Sequence, residues 1–261
     1  KYFHLNHNNL LEMAERAAKI GIDMIVLDDG WFSKRNDDTS SLGDWVIDIE
    51  KFPQGLKALV DDVNRVGCKF GIWWEPEMVS EQSALYTAHR DWYFHVPGRP
   101  RQLGRNQMVL DLSRQDVRDY LFNCISTLLK SANIEYIKWD MNRPLTEVYS
   151  KAALDKGIWQ TEANHRYVLG VYELQGRIIK EFPYVLLENC ASGGGRFDPG
   201  MLYYSPQIWC SDNTDALVRM KIQYGTSYVY PARCIGAHVS TVPNHITGNT
   251  TRLRTRAFVA M

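Results

Sequence analysis

One unit recurs along this chain: a short apolar run, a polar tip, then an amphipathic stretch. Met24-Ile-Val-Leu27 runs into Asp28-Asp29-Gly30, and Lys69 to Trp74 into Glu75-Pro76-Glu77. Tyr136 to Trp139 ends at Asp140, Tyr184 to Leu187 at Glu188, and Gln207 to Cys210 near Asp212. Apolar runs without alternation belong to strands buried on both faces, and strand–helix repetition without a hairpin signal means parallel strands. Polar tips after such strands stand where α/β sheets and barrels keep their active sites. These tips occur at five strand ends rather than two, and no G-x-G-x-x-G follows the first strand. The expected fold is therefore α/β, a (β/α)8 TIM barrel, in one domain over 1–261. The chain begins at Lys1 and stops inside an apolar run at Ala260-Met261, so the barrel is expected to be truncated at both ends.

The helices between the strands carry their own signals. Asn8 or Asn9 is placed to cap a helix bearing Leu10, Leu11, Met13, Ala14, Ala17 and Ala18, closed by Gly21. Gly55 to Val66 forms the next, ended by Gly67. Ser113 with Asp116 resembles a capping box before a stripe of Val117, Tyr120, Leu121, Cys124, Ile125, Leu128 and Leu129. Further helices are expected over Thr161–Glu181 and Asp215–Tyr224. The strand after them falls at Ser227–Val229 or Ile235–Val239, and Ser33 to Asp44 reads as a polar loop.

Composition narrows the function classes. Thirty basic residues balance thirty acidic ones, which argues against nucleic acid or an anionic membrane as partner. No apolar run approaches the roughly 18–20 residues of a membrane span. Five cysteines, odd in number and without a C-x-x-C pair, read as reduced thiols in a cytoplasmic protein without a zinc site. Eight Trp and fourteen Tyr serve as core, and also suit stacking on the C–H faces of a sugar.

Two tips carry most of the chemistry. In a strand, Lys138 and Asp140 share one face while Ile137 and Trp139 pack the other way. A cation beside a carboxylate keeps it ionised and ready for nucleophilic attack; the bland alternative is a structural ion pair at a barrel rim, and a Schiff-base lysine is a third reading. Asp212 follows an aromatic run with Trp209 close by, a partly dry setting that suits a general acid. It, or Asp215, equally reads as the cap of the next helix. A pair of carboxylates facing one pocket is the equipment for cleaving a glycosidic bond. Asp28 and Asp29 suit gripping of neighbouring sugar hydroxyls, or a divalent metal with Glu75, Glu77 or Glu188, or no more than a loop cap. The Gly193–Gly195 turn after Glu188 brings backbone close to a ligand, yet the Walker lysine and hydroxyl of a phosphate loop are absent. No H-E-x-x-H and no G-x-S-x-G are present, so zinc or serine-triad hydrolysis has no support.

On these residues the chain resembles the catalytic domain of glycoside hydrolase family 36, the bacterial-type α-galactosidases. The similarity runs from about Asn8 to the end and rests on DDGWF (28–32), GDW (43–45), FPQGLKALV (52–60), GIWWEPEMV (71–79), VLDLSR (109–114), YIKWDMNR (136–143), ENCASGGGRFD (188–198) and WCSDNTDA (209–216). The resemblance implies a retaining exo-α-galactosidase acting on melibiose- and raffinose-type α-1,6-galactosides through a glycosyl-enzyme. Asp140 matches the nucleophile and Asp212 the acid/base. Asp28 and Asp29 are expected on the 4- and 6-hydroxyls, Trp73, Arg105 and Lys138 on the ring and its other hydroxyls, Asn142 as a further contact, and Cys190 with Gly193 against the 2-hydroxyl. No metal or organic cofactor is implied. Family members carry an N-terminal β-sandwich and a C-terminal β domain, both outside this chain, and many are tetramers. The alternatives on the same barrel are an α-N-acetylgalactosaminidase or a galactosyltransferase of the raffinose-synthase kind. From other classes come a metal-dependent lyase or isomerase and a non-catalytic sugar-binding module.

Overall fold

The computed structural model describes residues 3–261, which fall into two compact units divided between Leu186 and Leu187. The first opens with α1 (His7–Lys19) and β1 (Met24–Leu27), then α2 (Gly55–Arg65) and β2 (Lys69–Trp74). After β3 (Met78–Ser80), α3 (Ala84–Ala88) and β4 (Gln107–Val109) come α4 (Gln115–Ser131) and β5 (Tyr136–Trp139). It closes with α5 (Lys151–Asp155) and α6 (Ala163–Glu181). β1, β2 and β5 pair in parallel, as their unbroken apolar runs require. The core lies on the strands and inner helix faces: Leu27, Phe70, Ile72, Ile137 and Trp139 of the strands, Leu56, Leu59, Val60 and Val63 of α2, and Leu121 and Ile125 of α4 are all buried.

Gly71 sits in the middle of β2 for a steric reason. A Cβ there would lie 2.8 Å from Tyr136 Cβ, so the close approach of β2 and β5 depends on its absence.

The second unit runs through β6 (Leu186–Asn189), α7 (Pro199–Tyr204), β7 (Gln207–Trp209), α8 (Ala216–Ser227), β8 (Ile235–Gly236) and α9 (Leu253–Ala260). Its strands β6, β7 and β8 are again parallel. The α/β class and the parallel βα repeat thus stand as the sequence indicates. Among the described residues no helix is long and apolar enough to cross a membrane.

Several local expectations are corrected. Asn6, not Asn8 or Asn9, caps α1, with Asn9 returning the bond to complete a capping box. The Ser113–Asp116 box does not form: Asp116 takes a two-pronged grip from Arg114, with bonds of 3.0 and 2.7 Å, and Ser113 turns to Asp111. A guanidinium is a stronger donor to that carboxylate than the neutral backbone N–H the box would offer it. β6 begins two residues later than expected, because Val185 N–H closes a turn onto Phe182 O after Pro183. The last strand is Ile235–Gly236, while α8 continues through Ser227 and leaves Tyr228 and Val229 exposed. An antiparallel pair, β3 with β4, also stands where no hairpin was signalled, since its strands are far apart in sequence.

Candidate active site

In the first unit, strand register assembles one side of the site. Leu27 is level with Ile72, and Trp73 with Lys138. Asp28, the next residue after Leu27, therefore falls in the same lateral row as Trp73 and Lys138, and the three side chains share a face. Lys138 Nζ spans that row and donates to Asp28 Oδ2 at 3.0 Å. The ammonium expected beside Asp140 thus makes an ion pair with Asp28.

Asp140 is the first residue beyond β5, where its backbone N–H still reaches Trp74 O at 2.8 Å. Its side chain is buried and held by three donors. Trp73 Nε1 at 3.0 Å and Asn142 Nδ2 at 2.7 Å both reach Oδ2, while the Met141 N–H reaches Oδ1 at 3.0 Å. Trp73 is itself fixed in an aromatic cluster with Phe32 and Trp45, and its carbonyl accepts Trp31 Nε1 at 2.8 Å. Trp73 and Asn142, expected on the substrate, are therefore also the groups that orient Asp140.

Glu75, which the sequence offered as a polar tip and a conceivable metal ligand, is a functional candidate of another kind. It is buried with Asp140 nearby; its Oε1 accepts the Asn142 N–H at 2.6 Å and its Oε2 accepts Gln107 Nε2 at 3.3 Å. Burial above all, and the Asp140 charge after it, push the Glu75 carboxyl up to about 8, against the Asn142 N–H and the charge of Arg105. Glu75 is a neutral acid at pH 7. Arg105 stands exposed in a left-handed turn with φ of 52°.

Asp29 is engaged by a neighbouring cation. Its two oxygens accept Arg35 Nε at 2.9 Å and Arg35 Nη2 at 2.8 Å, in a pair buried on both sides. Burial raises the Asp29 carboxyl, and the Arg35 bonds work against that rise. Lys51 holds the same turn from beneath, donating to Gly30 O at 2.8 Å and Arg35 O at 2.7 Å. A cation already sits on each of Asp28 and Asp29, which disfavours a divalent metal between them. Arg35 and Lys51 gave no sequence signal beyond charge in a loop.

In the second unit, Asp212 follows β7 and is exposed, so the dry setting expected for it is corrected. Its contact with the aromatic is polar: Trp209 Nε1 donates to Asp212 Oδ1 at 2.9 Å. Helix capping falls to Asp215, whose carboxylate accepts Leu217 N at 2.8 Å, so Asp212 is released from that duty. Cys190, just beyond β6, is buried. Gly193 packs on the acid itself. With φ of +92°, a Cβ there would lie 3.0 Å from both Asp212 N and Ser211 Cα. Gly193 and Gly194 are thus explained by backbone pressed against Cys210–Asp212, while Gly195 closes on Ala191 O of its own turn.

The Melibiase family profile matches residues 1–261. Among curated proteins, the α-galactosidase AgaA of Geobacillus stearothermophilus is 55% identical over 260 residues, covering 100% of this chain and 35% of that protein. The bifunctional α-galactosidase/sucrose kinase AgaSK of Mediterraneibacter gnavus is 51% identical, over 100% of this chain and 27% of its own length. The chain thus spans about a third or less of these relatives. A crystal structure of the glycoside hydrolase family 36 α-galactosidase AgaA in complex with raffinose matches with TM-score 0.96 at 54% identity, over 100% of this chain and 36% of that one. The chain belongs to the Melibiase family and, with it, to glycoside hydrolase family 36.

Proposed function

We propose that this chain is the catalytic portion of a retaining, exo-acting α-galactosidase that removes terminal α-linked galactose from melibiose- and raffinose-type α-1,6-galactosides. The observation that carries the reading is Asp140: a buried carboxyl at a strand end, oriented by Trp73 and Asn142 beside the Asp28–Lys138 row. An Asp140 carboxylate oxygen attacks the anomeric carbon as the bond to the departing oxygen breaks, and Asp212 gives that oxygen its proton. Asp212 then takes a proton from water, whose oxygen attacks the same carbon and releases Asp140. Asp28 and Lys138 suit the sugar hydroxyls, because an ion pair with spare donors and acceptors complements them. Asp29, Trp73, Arg105, Asn142, Cys190 and Gly193 complete the pocket in this reading. The relatives' names and the raffinose complex of one of them support the substrate class.

The same reading gives the chain a (β/α)8 TIM-barrel fold, flanked in the whole protein by a β-sandwich and a C-terminal β domain. It also makes that protein a cytoplasmic tetramer working without cofactor. The test is Asp140→Ala in the full-length protein with an aryl α-galactoside: turnover is expected to vanish, and a near-normal kcat sinks the assignment. Faster turnover of the 2-acetamido analogue than of the galactoside would overturn the specificity.

A further inference from the structure

We propose that Arg219 is a positioning residue for the acid/base, gripping the loop on both sides of Asp212 and the indole that holds its carboxyl. The inference rests on the reading of Asp212 given above. Arg219 lies in α8 and is fully buried. A buried cation costs several kcal/mol of desolvation unless its donors are satisfied, yet among the described residues no carboxylate pairs with this one.

Its partners are instead backbone carbonyls and a sulfur, three of the four on the Cys210–Asn213 loop and the fourth on β8. Nε donates to Asn213 O at 2.8 Å and Nη2 to Ser211 O at 2.6 Å, the carbonyls immediately after and before Asp212. Nη1 donates to Gly236 O at 2.9 Å and to Cys210 Sγ at 3.0 Å. Burial pushes the Cys210 thiol up, so this sulfur accepts as a neutral thiol.

The same guanidinium lies over the Trp209 ring, 4.5 Å from its centroid. That ring's N–H is the bond to Asp212 Oδ1. The main chain and the carboxyl of Asp212 are thus both set by groups that Arg219 touches. Gly193 presses on the loop as well. The exposed acid needs such a brace, since nothing buries it. Only a planar fork presents these donors together, so lysine is no substitute.

The test uses the full-length protein as Arg219→Lys and compares kcat/KM on two galactosides. A 2,4-dinitrophenyl leaving group departs without protonation; the sugar of melibiose needs the acid. Mispositioning of Asp212 is expected to lower kcat/KM on melibiose by about tenfold or more, part of the roughly 10²–10⁴ that general acid catalysis supplies. On the dinitrophenyl substrate kcat/KM is expected to stay within about threefold, and azide is expected to raise its kcat by relieving the base-dependent second step. Equal losses on both substrates overturn the proposal. Should the lysine variant not fold, Trp209→Phe removes the indole N–H that holds Asp212 while keeping a smaller aromatic ring, and is expected to give the same leaving-group split in weaker form; its absence overturns the proposal too. Asp212→Asn in parallel separates the two failures: no split there means that Asp212 is not the acid.

Discussion

Asn142 joins Glu75 to Asp140: its backbone N–H reaches Glu75 Oε1 at 2.6 Å while its side-chain amide reaches Asp140 Oδ2 at 2.7 Å. One residue is thereby clamped between a neutral acid and the proposed nucleophile. The neutral form of Glu75 has a waiting acceptor, because among the described residues Gln107 Oε1 is buried without a partner. Rotation of that amide exchanges its N–H bond to Glu75 Oε2 for one that its oxygen accepts from the Glu75 O–H. Keeping Glu75 uncharged spares the proposed nucleophile a second negative charge beside it.

The stability consequence of Glu75 has a definite sign. An unfolded chain ionises this carboxyl from about 4.5 upward, the folded protein only from about 8. Between those values the native state holds the extra proton, so native stability falls as pH rises, by about 1.4 kcal/mol per pH unit. The contribution is complete below the lower value and gone above the upper one. Glu75→Gln removes the proton from the balance while keeping an acceptor for Asn142. The variant is expected to gain melting temperature over wild type steadily from pH 5 to pH 8, then no further. Parallel Tm–pH curves for the two proteins contradict a neutral Glu75.

The Asp29–Arg35 pair is expected to matter for folding more than for turnover. Removing one partner of a buried ion pair leaves an uncompensated charge, a loss of about 3–5 kcal/mol. Arg35→Met is expected to destabilise by that order in urea titration, and Asp29→Asn added to it is expected to recover part of the loss. An additive double mutant would mean that the two side chains act independently.

Trp73 offers a test of orientation at the proposed nucleophile. Trp73→Phe keeps an aromatic ring beside Phe32 and Trp45 but deletes the donor to Asp140 Oδ2. A lost hydrogen bond to a charged group, about 1.5–3 kcal/mol, corresponds to a fall in kcat of roughly tenfold to a hundredfold. The loss is expected in kcat with KM nearly unchanged. An effect confined to KM makes Trp73 a sugar-stacking residue instead.

These residues also show what was legible in the sequence. Asp28, Asp140 and Asp212 stood out because an apolar strand must end in something, and strand period alone placed Lys138 on the face of Asp140; its level with Trp73 is set by strand pairing. Arg35, Lys51 and Arg219 did not, because the carbonyls and carboxylates they satisfy come together only through tertiary packing. Glu75 read as one of two acids at its tip; its character follows from burial, which residue type does not reveal. The Ser113 capping box failed for a related reason: a local motif states a preference, and Arg114 offered Asp116 a stronger partner.

Gly193 joins sequence to chemistry most directly. Its φ of +92° is a backbone state that L side chains rarely adopt, so any substitution is strained at the outset. The added methyl would also stand 3.0 Å from Asp212 N and Ser211 Cα, both backbone atoms that cannot swing aside. The loop must therefore retreat, and Asp212 with it, away from its bond to Trp209. Gly193→Ala is expected to lower stability by about 1–3 kcal/mol, the usual penalty for such a backbone. It is also expected to slow melibiose cleavage more than that of the dinitrophenyl galactoside, since displacement falls on the proton donor and leaves Asp140 untouched. A Gly193→Ala protein with unchanged melting and unchanged melibiose turnover would show that the close approach of these two loops has no functional weight.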